Sequence, residues 1–286
     1  MRGSRFPIII AFLFLIQTGC KTAEQEKVAI DVMSFNIRYG LAKDGDNHWD
    51  NRHDLVFETI RDYEPAILGL QEALHFQLQE ILGELPSYSS IGVGREADGG
   101  GEHTAILYST ELFELIDHDT VWLSDTPEKP SSSWGNNLFR TCTWSLFRFK
   151  ALDKEFYVYN THFDHKSEES RERSAEFIAG HIAKRERSSA PFLLLGDFNA
   201  GEETLPIKSL LDQKGEAQLV DTFRAIHPEE PNAGTFGAWV GKIDGAKIDY
   251  VFTDIRMEVL DAAIVRQNEN GRYPSDHYPV IARVRF

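Results

Sequence analysis

The sequence predicts one layered α/β domain, and three observations lead to this prediction. The chain has 286 residues, which one large α/β domain can accommodate. Its hydrophobic content of 42% and aromatic content of 12% suffice for a sizeable core. Strand patterns alternate with helical patterns along the chain, as is typical of sheets covered by helices. Neither a low-complexity tract nor a repeat of 20 to 50 residues is present in the sequence to favour a solenoid or linked small modules.

Residues 1–20 predict an export signal that is separate from this domain. Arg2 and Arg5 precede an apolar run from Pro7 to Ile16, which is short for a membrane span. An ordinary signal peptide and an uncleaved anchor are the alternatives to a lipoprotein signal.

A small residue directly before a cysteine favours the lipoprotein interpretation. Gly19 precedes Cys20, and this pair resembles a bacterial lipoprotein signal, in which the cysteine is lipidated and becomes the new N-terminus. We therefore expect an exported protein of the cell envelope, at the outer membrane or the periplasmic face, anchored by a lipid on Cys20. Residues 21–27 are the expected tether and residues 28–286 the expected catalytic domain.

The net charge of −15 constrains the partners. Proteins that hold long nucleic acid usually carry a basic stripe, because phosphate contacts supply most of the affinity. The charge therefore argues against long nucleic acid as a partner and leaves room for a small anionic substrate, provided that some local positive charge lies in its site. We expect a monomer. Cys142 alternates with apolar neighbours and is expected to be a buried core residue.

The period of the apolar residues assigns the elements of the first half of the chain. Helical periodicity recurs twice, the first helix ending before Pro65, and the intervening segments alternate as strands do. The predicted strands are residues 28–35, 66–70, 88–94, 104–108 and 113–123, and the predicted helices are residues 51–63 and 73–82.

The second half is predicted to contain one long helix among strands. The helix is rich in charge around a few apolar residues, and the segment after it, "APFLLLGDF", is a buried strand that runs into a loop. The predicted strands are residues 138–149, 156–161, 190–198, 247–254, 257–265 and 277–286, and the predicted helix is residues 168–187.

Acid, amide and imidazole side chains fall at the ends of these strands. The stretches concerned are "SFNIR", "GLQEA", "YNTHFDH", "GDFNA", "KIDY" and "SDH". In open α/β sheets, ligands bind at that edge. The strand ends therefore predict a functional site that is assembled from distant parts of the sequence.

One of these stretches indicates a site for a hard cation. Asp197 and Asn199 alternate in "GDFN" and can point into one space, and a carboxylate with an amide suits Mg²⁺ or Mn²⁺. An Asx turn after the strand is an equally good explanation of this pair. Glu72 could instead complement a helix N-terminus, and Asn36 could be a turn former.

Two histidines are candidates for proton or phosphate chemistry. His162 and His277 each lie beside a strand end, and Asp249 opens a strand in a position to orient one imidazole. Neighbouring residues of an extended chain point in opposite directions. Asp249 is therefore a better candidate than the adjacent Asp276 to orient His277.

The ordered set "SFNIR", "LQEA", "NTHFDH", "LLGDFN", "KIDYVF" and "SDHYPV" resembles the endonuclease/exonuclease/phosphatase superfamily, which has the DNase I-like fold. The resemblance spans about residues 28–286. It implies a four-layer α/β sandwich, with two central mixed sheets packed face to face and flanked by helices. It also implies phosphoester hydrolysis that depends on Mg²⁺, with Mn²⁺ as the alternative ion.

The resemblance also implies roles for the residues at the strand ends. Glu72 would be the principal metal ligand, with Asn36 and Asp276 beside it. His162 would contact the scissile phosphate or assist the leaving group. Asp197 and Asn199 would position and activate the attacking water. Asp249 would orient His277. Which of Asp197 and His277 is the general base stays open, as does the number of ions.

Further stretches resemble an uncharacterised bacterial branch of the superfamily, namely "RYGLAKDGDNHWDNR", "FRTCTW" and the second histidine of "THFDH". They supply the expected substrate-binding residues Arg38, Trp49, Arg140 and His165. Arg140 is suited to grip a phosphate, although an edge-strand cation is the alternative. Three loop tryptophans could stack on a sugar or a base, although core packing explains such residues as often; they are Trp49, Trp134 and Trp239.

The leading hypothesis is an exported, Mg²⁺-dependent phosphatase or phosphodiesterase of a small phosphoester, with a sugar-containing substrate favoured. Within the enzymes, the rival is a secreted endonuclease or exonuclease. From another class comes a catalytically inactive lipoprotein that binds phosphorylated glycans. Retention of the complete set of acids, amides and histidines favours an enzyme over the last of these.

Overall fold

The computed structural model describes residues 28–286, which form two mixed β-sheets and five α-helices. The predicted signal, Cys20 and the tether lie outside the described residues. The strands are β1 (Ala29–Asn36), β2 (Ile67–Ala73), β3 (Tyr88–Ile91), β4 (His103–Ser109), β5 (Phe113–Trp122), β6 (Thr141–Phe149), β7 (Lys154–His162), β8 (Phe192–Asp197), β9 (Leu219–Asp221), β10 (Asp249–Asp254), β11 (Glu258–Ile264) and β12 (Val280–Arg285). The helices are α1 (His53–Tyr63), α2 (His75–Glu84), α3 (Glu168–Ala183), α4 (Leu205–Leu211) and α5 (Thr222–Ile226).

Each sheet has six strands and a single parallel pair at its centre. The first sheet has the order β11-β12-β1-β2-β4-β3, and only β1 and β2 run parallel. The second sheet has the order β5-β6-β7-β8-β10-β9, and only β7 and β8 run parallel. Polar residues at the carboxyl ends of two parallel strands meet at the same edge of a sheet, so each sheet brings two such ends together.

Three apolar clusters separate four layers. One lies between the sheets and combines residues such as Val32 of the first sheet with Val158 of the second. A second packs α1 and α2 on the outer face of the first sheet. The third packs α3 and α4 on the outer face of the second sheet. The four-layer sandwich with two central mixed sheets is therefore confirmed, and Cys142 is buried in it as expected.

Two buried amides connect the sheets close to the polar strand ends. Gln71 Nε2 donates to Asn160 Oδ1 at 2.7 Å. Asn160 Nδ2 donates to the carbonyl oxygens of Leu70 and Ala105 at 2.9 and 2.8 Å. Because buried amides are costly unless they are hydrogen-bonded, these contacts specify how the two sheets meet.

The long elements agree with the sequence prediction, and the short ones differ from it. The predicted helix of residues 168–187 ends earlier, at Ala183, and the strand predicted from residue 138 begins at Thr141. The sequence prediction missed α4, β9 and α5, which have seven, three and five residues. Such elements span too few turns or alternations to show a period. None of the helices in residues 28–286 is long and apolar enough to cross a membrane.

Candidate active site

A cavity of about 670 Å³ opens where the polar strand ends of both sheets meet. Most of the predicted site residues line it, although they come from distant parts of the sequence. The lining residues include Arg38, Asp44, Glu72, Glu102, Leu138, Arg140, His162, His165, Asp197, Asn199, Phe236, Trp239, Asp276 and His277.

The carboxylate of Asp197 lies on the floor of the cavity between two imidazoles. Its Oδ2 is 3.6 Å from Nε2 of His162 and 3.8 Å from Nε2 of His277. Nδ1 of His277 is hydrogen-bonded to Oδ2 of Asp249 at 2.9 Å. The geometry thus agrees with the expectation that Asp249, and not Asp276, orients this imidazole. The arrangement follows from the antiparallel register of β8 and β10, which places Asp197 opposite Asp249.

Burial and neighbouring charges separate the pKa values of these groups. Burial, assisted by the carboxylate of Asp249, raises the pKa of Asp197 to about 7. Burial acts against a charged His277, but Asp249 and Asp197 outweigh it and raise the pKa of His277 well above its usual value. Burial and the positive charge of Arg140 lower the pKa of His162 well below its usual value. These opposite shifts favour the charged form of His277 and the neutral form of His162.

Glu72 reaches the cavity through an irregularity in β2. The register between β2 and β4 shifts between Leu70 and Ala73, and Glu72 has a φ of +59°. Its Oε2 accepts the N–H of Tyr39 at 2.8 Å, and its Oε1 accepts Nδ2 of Asn36 at 3.2 Å. The bulge therefore redirects a carboxylate that a regular strand would point elsewhere.

Asn36 connects the two carboxylates of the site and does not itself line the cavity. Its Nδ2 donates to Glu72 and also to Oδ2 of Asp197, at 2.9 Å in the latter contact. Its Oδ1 accepts the N–H of Arg38 at 3.0 Å. The structure therefore places this predicted metal ligand as a bridge between Glu72 and Asp197, with its oxygen already engaged.

Asn199 combines the two interpretations that the sequence left open. Its N–H donates to Oδ1 of Asp197 at 2.8 Å, which is an Asx turn, and its φ is +46°. Its Nδ2 donates to the carbonyl of Phe163 at 3.1 Å, and the residue also lines the cavity. The turn is thus the means by which Asn199 is brought to the site.

A second cationic group covers another wall of the cavity. The Arg140 side chain is 3% exposed, and its Nε lies 3.4 Å from Oδ2 of Asp164. Its Nη2 lies 2.9 Å from Nδ1 of His165, which is exposed. Burial, together with the charge of Arg140, lowers the pKa of His165, so the neutral ring accepts from Arg140 and keeps its other nitrogen as a donor. Arg140 and His165 can therefore act together on an anion.

The donor atoms on the opposite wall fit a hard divalent cation. The carboxylates of Glu72 and Asp276 both line the cavity, and burial raises the pKa of Asp276. Carboxylate oxygens are the ligands that Mg²⁺ prefers. The atoms of Asp197, Asp249 and His277 are also close enough to hold an ion. That group already contains the His277 imidazole, whose pKa is raised by the two carboxylates and whose positive charge would oppose a metal ion, so Glu72 and Asp276 fit a cation better.

Strained backbone conformations concentrate at the cavity. Eight non-glycine residues of the described chain have a positive φ, and five of them line the cavity. These five are Arg38, Glu72, Asn199, Ala238 and Trp239. Such conformations cost free energy and are typical of functional sites, which supports the assignment of this cavity as the active site.

The three loop tryptophans have different locations. Trp49 does not face the cavity: it is 1% exposed, packs on Phe57, and donates its indole N–H to Glu80 at 2.6 Å. The expectation that Trp49 contacts a substrate is therefore wrong, and the reason is core packing. Trp134 packs against the apolar cluster outside the second sheet. Only Trp239 among the three lines the cavity.

Sequence reasoning missed several residues of the cavity. Glu102 lies 3.9 Å from Nδ1 of His162 and accepts from Arg95 Nη1 at 2.7 Å, and burial raises its pKa. It belongs to "DGGGEH", a stretch whose glycines indicate a flexible loop at the rim of a site. Asp44 and Phe236 follow no strand end, so position along the chain gave no signal for them. These residues share only their proximity in the folded structure, which the sequence does not show.

Comparison with known proteins gives one family. A family model described as Endonuclease/Exonuclease/phosphatase matches residues 33–277. The structure is similar to an endonuclease/exonuclease/phosphatase of Bacteroides vulgatus, with a TM-score of 0.82 and 32% identity over 90% of this chain and 99% of that one.

Two further relatives extend the comparison. The structure is also similar to a mannosyl-6-phosphatase of Bacteroides thetaiotaomicron, with a TM-score of 0.82 and 28% identity. The match covers 90% of this chain and 100% of the other. An uncharacterised protein of Acanthamoeba polyphaga mimivirus is 28% identical over 254 residues, which are 82% of this chain and 91% of that protein.

Proposed function

Since this chain belongs to the endonuclease/exonuclease/phosphatase family, whose members hydrolyse phosphoesters, we propose that it is a divalent-cation-dependent phosphatase or phosphodiesterase of a small, sugar-containing phosphoester. One observation carries this proposal. A single cavity holds a buried carboxylate between two imidazoles, with a pair of hard-oxygen ligands on one wall and Arg140 on another.

The residues divide the reaction between them. Asp197 accepts the proton of the attacking water, because its carboxylate is at the cavity floor and is held by the N–H of Asn199 and by Asn36. The His277 imidazolium, oriented by Asp249, stabilises negative charge that develops on the phosphoryl oxygens. Arg140 and His165 bind the remaining oxygens, and His162 lies where it can assist the leaving group.

Glu72 and Asp276 would hold the cation, with Asn36 fixing the direction of Glu72. When bound, Mg²⁺ or Mn²⁺ supplies Lewis-acid polarisation of a phosphoryl oxygen. It also allows a protein with a net charge of −15 to accept an anionic substrate.

Two aromatic residues at the cavity support a sugar-containing substrate. Phe236 is 42% exposed and contacts the ring of His277 with a centroid distance of 5.1 Å. Trp239 is half-buried, and its loop is fastened to Asp276 by the N–H groups of Gly237 and Ala238, at 2.7 and 3.0 Å. Aromatic faces suit the apolar faces of sugar rings. The similarity to a mannosyl-6-phosphatase makes hexose 6-phosphates the first substrates to test.

The test is release of inorganic phosphate from hexose 6-phosphates, inositol phosphates and nucleotides by the purified protein. We expect turnover that EDTA abolishes and that Mg²⁺ or Mn²⁺ restores. Glu72→Ala should lose at least about 10²-fold in kcat/KM. The matched control is Glu84→Ala, which removes an exposed carboxylate outside the cavity and should retain full activity. Full activity of Glu72→Ala would contradict the assignment of the site.

We further propose that the protein is a monomer and that a lipid on Cys20 anchors it at the cell envelope. The pattern of residues 1–20 supports the lipid anchor. Mass spectrometry of the protein extracted from membranes should find an acylated N-terminal cysteine, and Cys20→Ser should release the protein from the membrane fraction. An unmodified Cys20 within an intact N-terminus would contradict lipidation.

A further inference from the structure

The guanidinium of Arg38 lies among three carboxylates at the edge of the cavity. Its Nε and Nη2 donate to the two oxygens of Asp44 at 2.9 and 3.0 Å, which makes a two-pronged ion pair. The same guanidinium is 3.7 Å from Oδ2 of Asp276 and 3.9 Å from Oε2 of Glu72. It is thus hydrogen-bonded to Asp44 while it lies close to both carboxylates of the cation wall.

The main chain of Arg38 is held by three hydrogen bonds, whereas its guanidinium is hydrogen-bonded to Asp44 alone. Its φ is +61°, and its N–H donates to Oδ1 of Asn36 at 3.0 Å. Its carbonyl oxygen accepts from Gln77 Nε2 at 3.1 Å and from Arg52 Nη2 at 3.3 Å. Among these contacts, only the ion pair with Asp44 determines where the guanidinium points.

A guanidinium that paired with Glu72 and Asp276 would compete with a metal ion for the same oxygens. A shift of about 1 Å would bring it from its present distances of 3.7 and 3.9 Å into hydrogen-bond range of both. The bidentate pair with Asp44 opposes that shift, because a carboxylate matches the planar fork of a guanidinium.

We propose that Asp44 is a positioning residue that keeps the Arg38 guanidinium off Glu72 and Asp276, so that these carboxylates remain open to a divalent cation. Arg38 then stays at the cavity wall as a fixed positive charge for the anionic substrate. This inference rests on the proposed function, because it takes Glu72 and Asp276 as the carboxylates that hold the cation.

The test is calorimetric titration of Mn²⁺ and of Mg²⁺ into the metal-stripped full-length protein, without substrate. Asp44→Asn should weaken cation binding about tenfold, an effect within the range of couplings between contacting charges. Adding Arg38→Ala to Asp44→Asn should restore most of the affinity, because no guanidinium is left to compete. Arg38→Ala alone should bind the cation at least as tightly as the wild type.

The matched control is Asp46→Asn, which removes the same charge from an exposed position two residues away. It should change the affinity by less than about twofold, as expected for an exposed charge. A general structural role of Asp44 would not predict rescue by removal of Arg38, so the double variant distinguishes positioning from folding.

Three outcomes would contradict the inference. Asp44→Asn could bind the cation as the wild type does, or Asp44→Asn could weaken binding equally with and without Arg38, or Arg38→Ala alone could weaken binding. Each of these leaves the proposed function standing. A wild-type protein that binds neither ion would instead overturn the proposed function and this inference with it.

Discussion

The buried carboxylate of Asp249 illustrates how one side chain determines the charge of another. It is 0% exposed, its Oδ2 is hydrogen-bonded to His277, and its Oδ1 has no hydrogen-bond partner among the described residues. Its negative charge is therefore directed to the imidazole that it orients. A substitution that removes the charge of Asp249 and keeps the shape of its side chain should therefore lower the reaction rate more than the stability of the fold.

Asp249→Asn is expected to lower kcat about 10²- to 10⁴-fold, the usual contribution of a positioned acid or base. The neutral amide no longer stabilises the imidazolium, so His277 loses the charge that the phosphoryl oxygens require. Steady-state kinetics on a hexose 6-phosphate measures this effect. Asp254→Asn is the control, since Asp254 is equally buried on β10 but pairs with Arg256 away from the cavity. Equal kcat values for both variants would refute the role given to Asp249.

Trp239→Ala is expected to raise KM for a hexose 6-phosphate by about 3- to 10-fold, within the energy of one aromatic contact. The same change should leave KM for glycerol 3-phosphate within about twofold, because that ester has no ring to stack. Trp134→Ala serves as the control, since Trp134 packs outside the cavity. An equal rise of KM for both esters in Trp239→Ala would show that Trp239 does not recognise the sugar.

The site was predictable from sequence where a functional side chain lies at either end of a strand. Asp249, His277 and Asp197 share that property, and the structure brings them together. Trp49 and Glu102 show the limit of this reasoning. Whether a loop side chain turns into the core or into a cavity depends on contacts with distant residues, such as Glu80 for Trp49 and Arg95 for Glu102.

At the scale of the element, β8 approaches β7 unusually closely just before Asp197. A Cβ added to Gly196 would lie 2.3 Å from the carbonyl oxygen of Thr161, and the φ of Gly196 is +156°. The neighbouring atom is backbone and cannot move aside cheaply. Gly196 therefore allows the parallel pair to present His162 and Asp197 side by side.

Gly196→Ala should destabilise the protein by about 2–4 kcal/mol, because the strand must shift to relieve the clash. It should also lower kcat, since Asp197 shifts with the strand. Gly180→Ala is the matched control: Gly180 lies in α3 with open space around an added Cβ, and the change should stabilise by about 0.5–1 kcal/mol. Urea unfolding of both variants measures the difference. Similar unfolding free energies for the two variants would contradict the close approach.

Element prediction succeeded for segments long enough to show a period. α1 and α3 extend over at least three turns and were found, whereas α4 and α5 were not. The bulge that redirects Glu72 could not be predicted from the sequence either, because it arises from the pairing of β2 with β4 and not from the residues of β2 alone.

At the scale of the whole molecule, two sheets of similar design face each other, and both present the end of a parallel pair to one cavity. Asn36 and Glu72 come from the first sheet, and His162 and Asp197 come from the second. The buried pair of Gln71 and Asn160 holds the sheets in register next to this point. The alternation of strand and helix patterns predicted a layered domain, and the family resemblance implied four layers, but the relative position of the sheets depends on such side-chain contacts.

The distribution of charge over the whole molecule discriminates between a small phosphoester and duplex DNA. The chain carries a net charge of −15, while Arg38, Arg140 and His277 supply positive charge inside the cavity. A protein that makes 6–10 phosphate contacts loses about 10³- to 10⁵-fold in affinity between 50 and 200 mM salt. An enzyme that binds one phosphoryl group in a cavity has few such contacts to lose.

We therefore expect kcat/KM for a hexose 6-phosphate to change by less than about threefold between 50 and 200 mM NaCl, since a single phosphoryl group is bound. Plasmid DNA should stay supercoiled over the same range of salt and with the same enzyme concentration. Glu72→Ala, purified identically, reports any contaminating nuclease, because nicking that persists in this variant does not come from the site. Plasmid nicking that requires Glu72 and falls steeply with salt would instead identify the protein as a nuclease, with its DNA-binding charge drawn from outside the cavity.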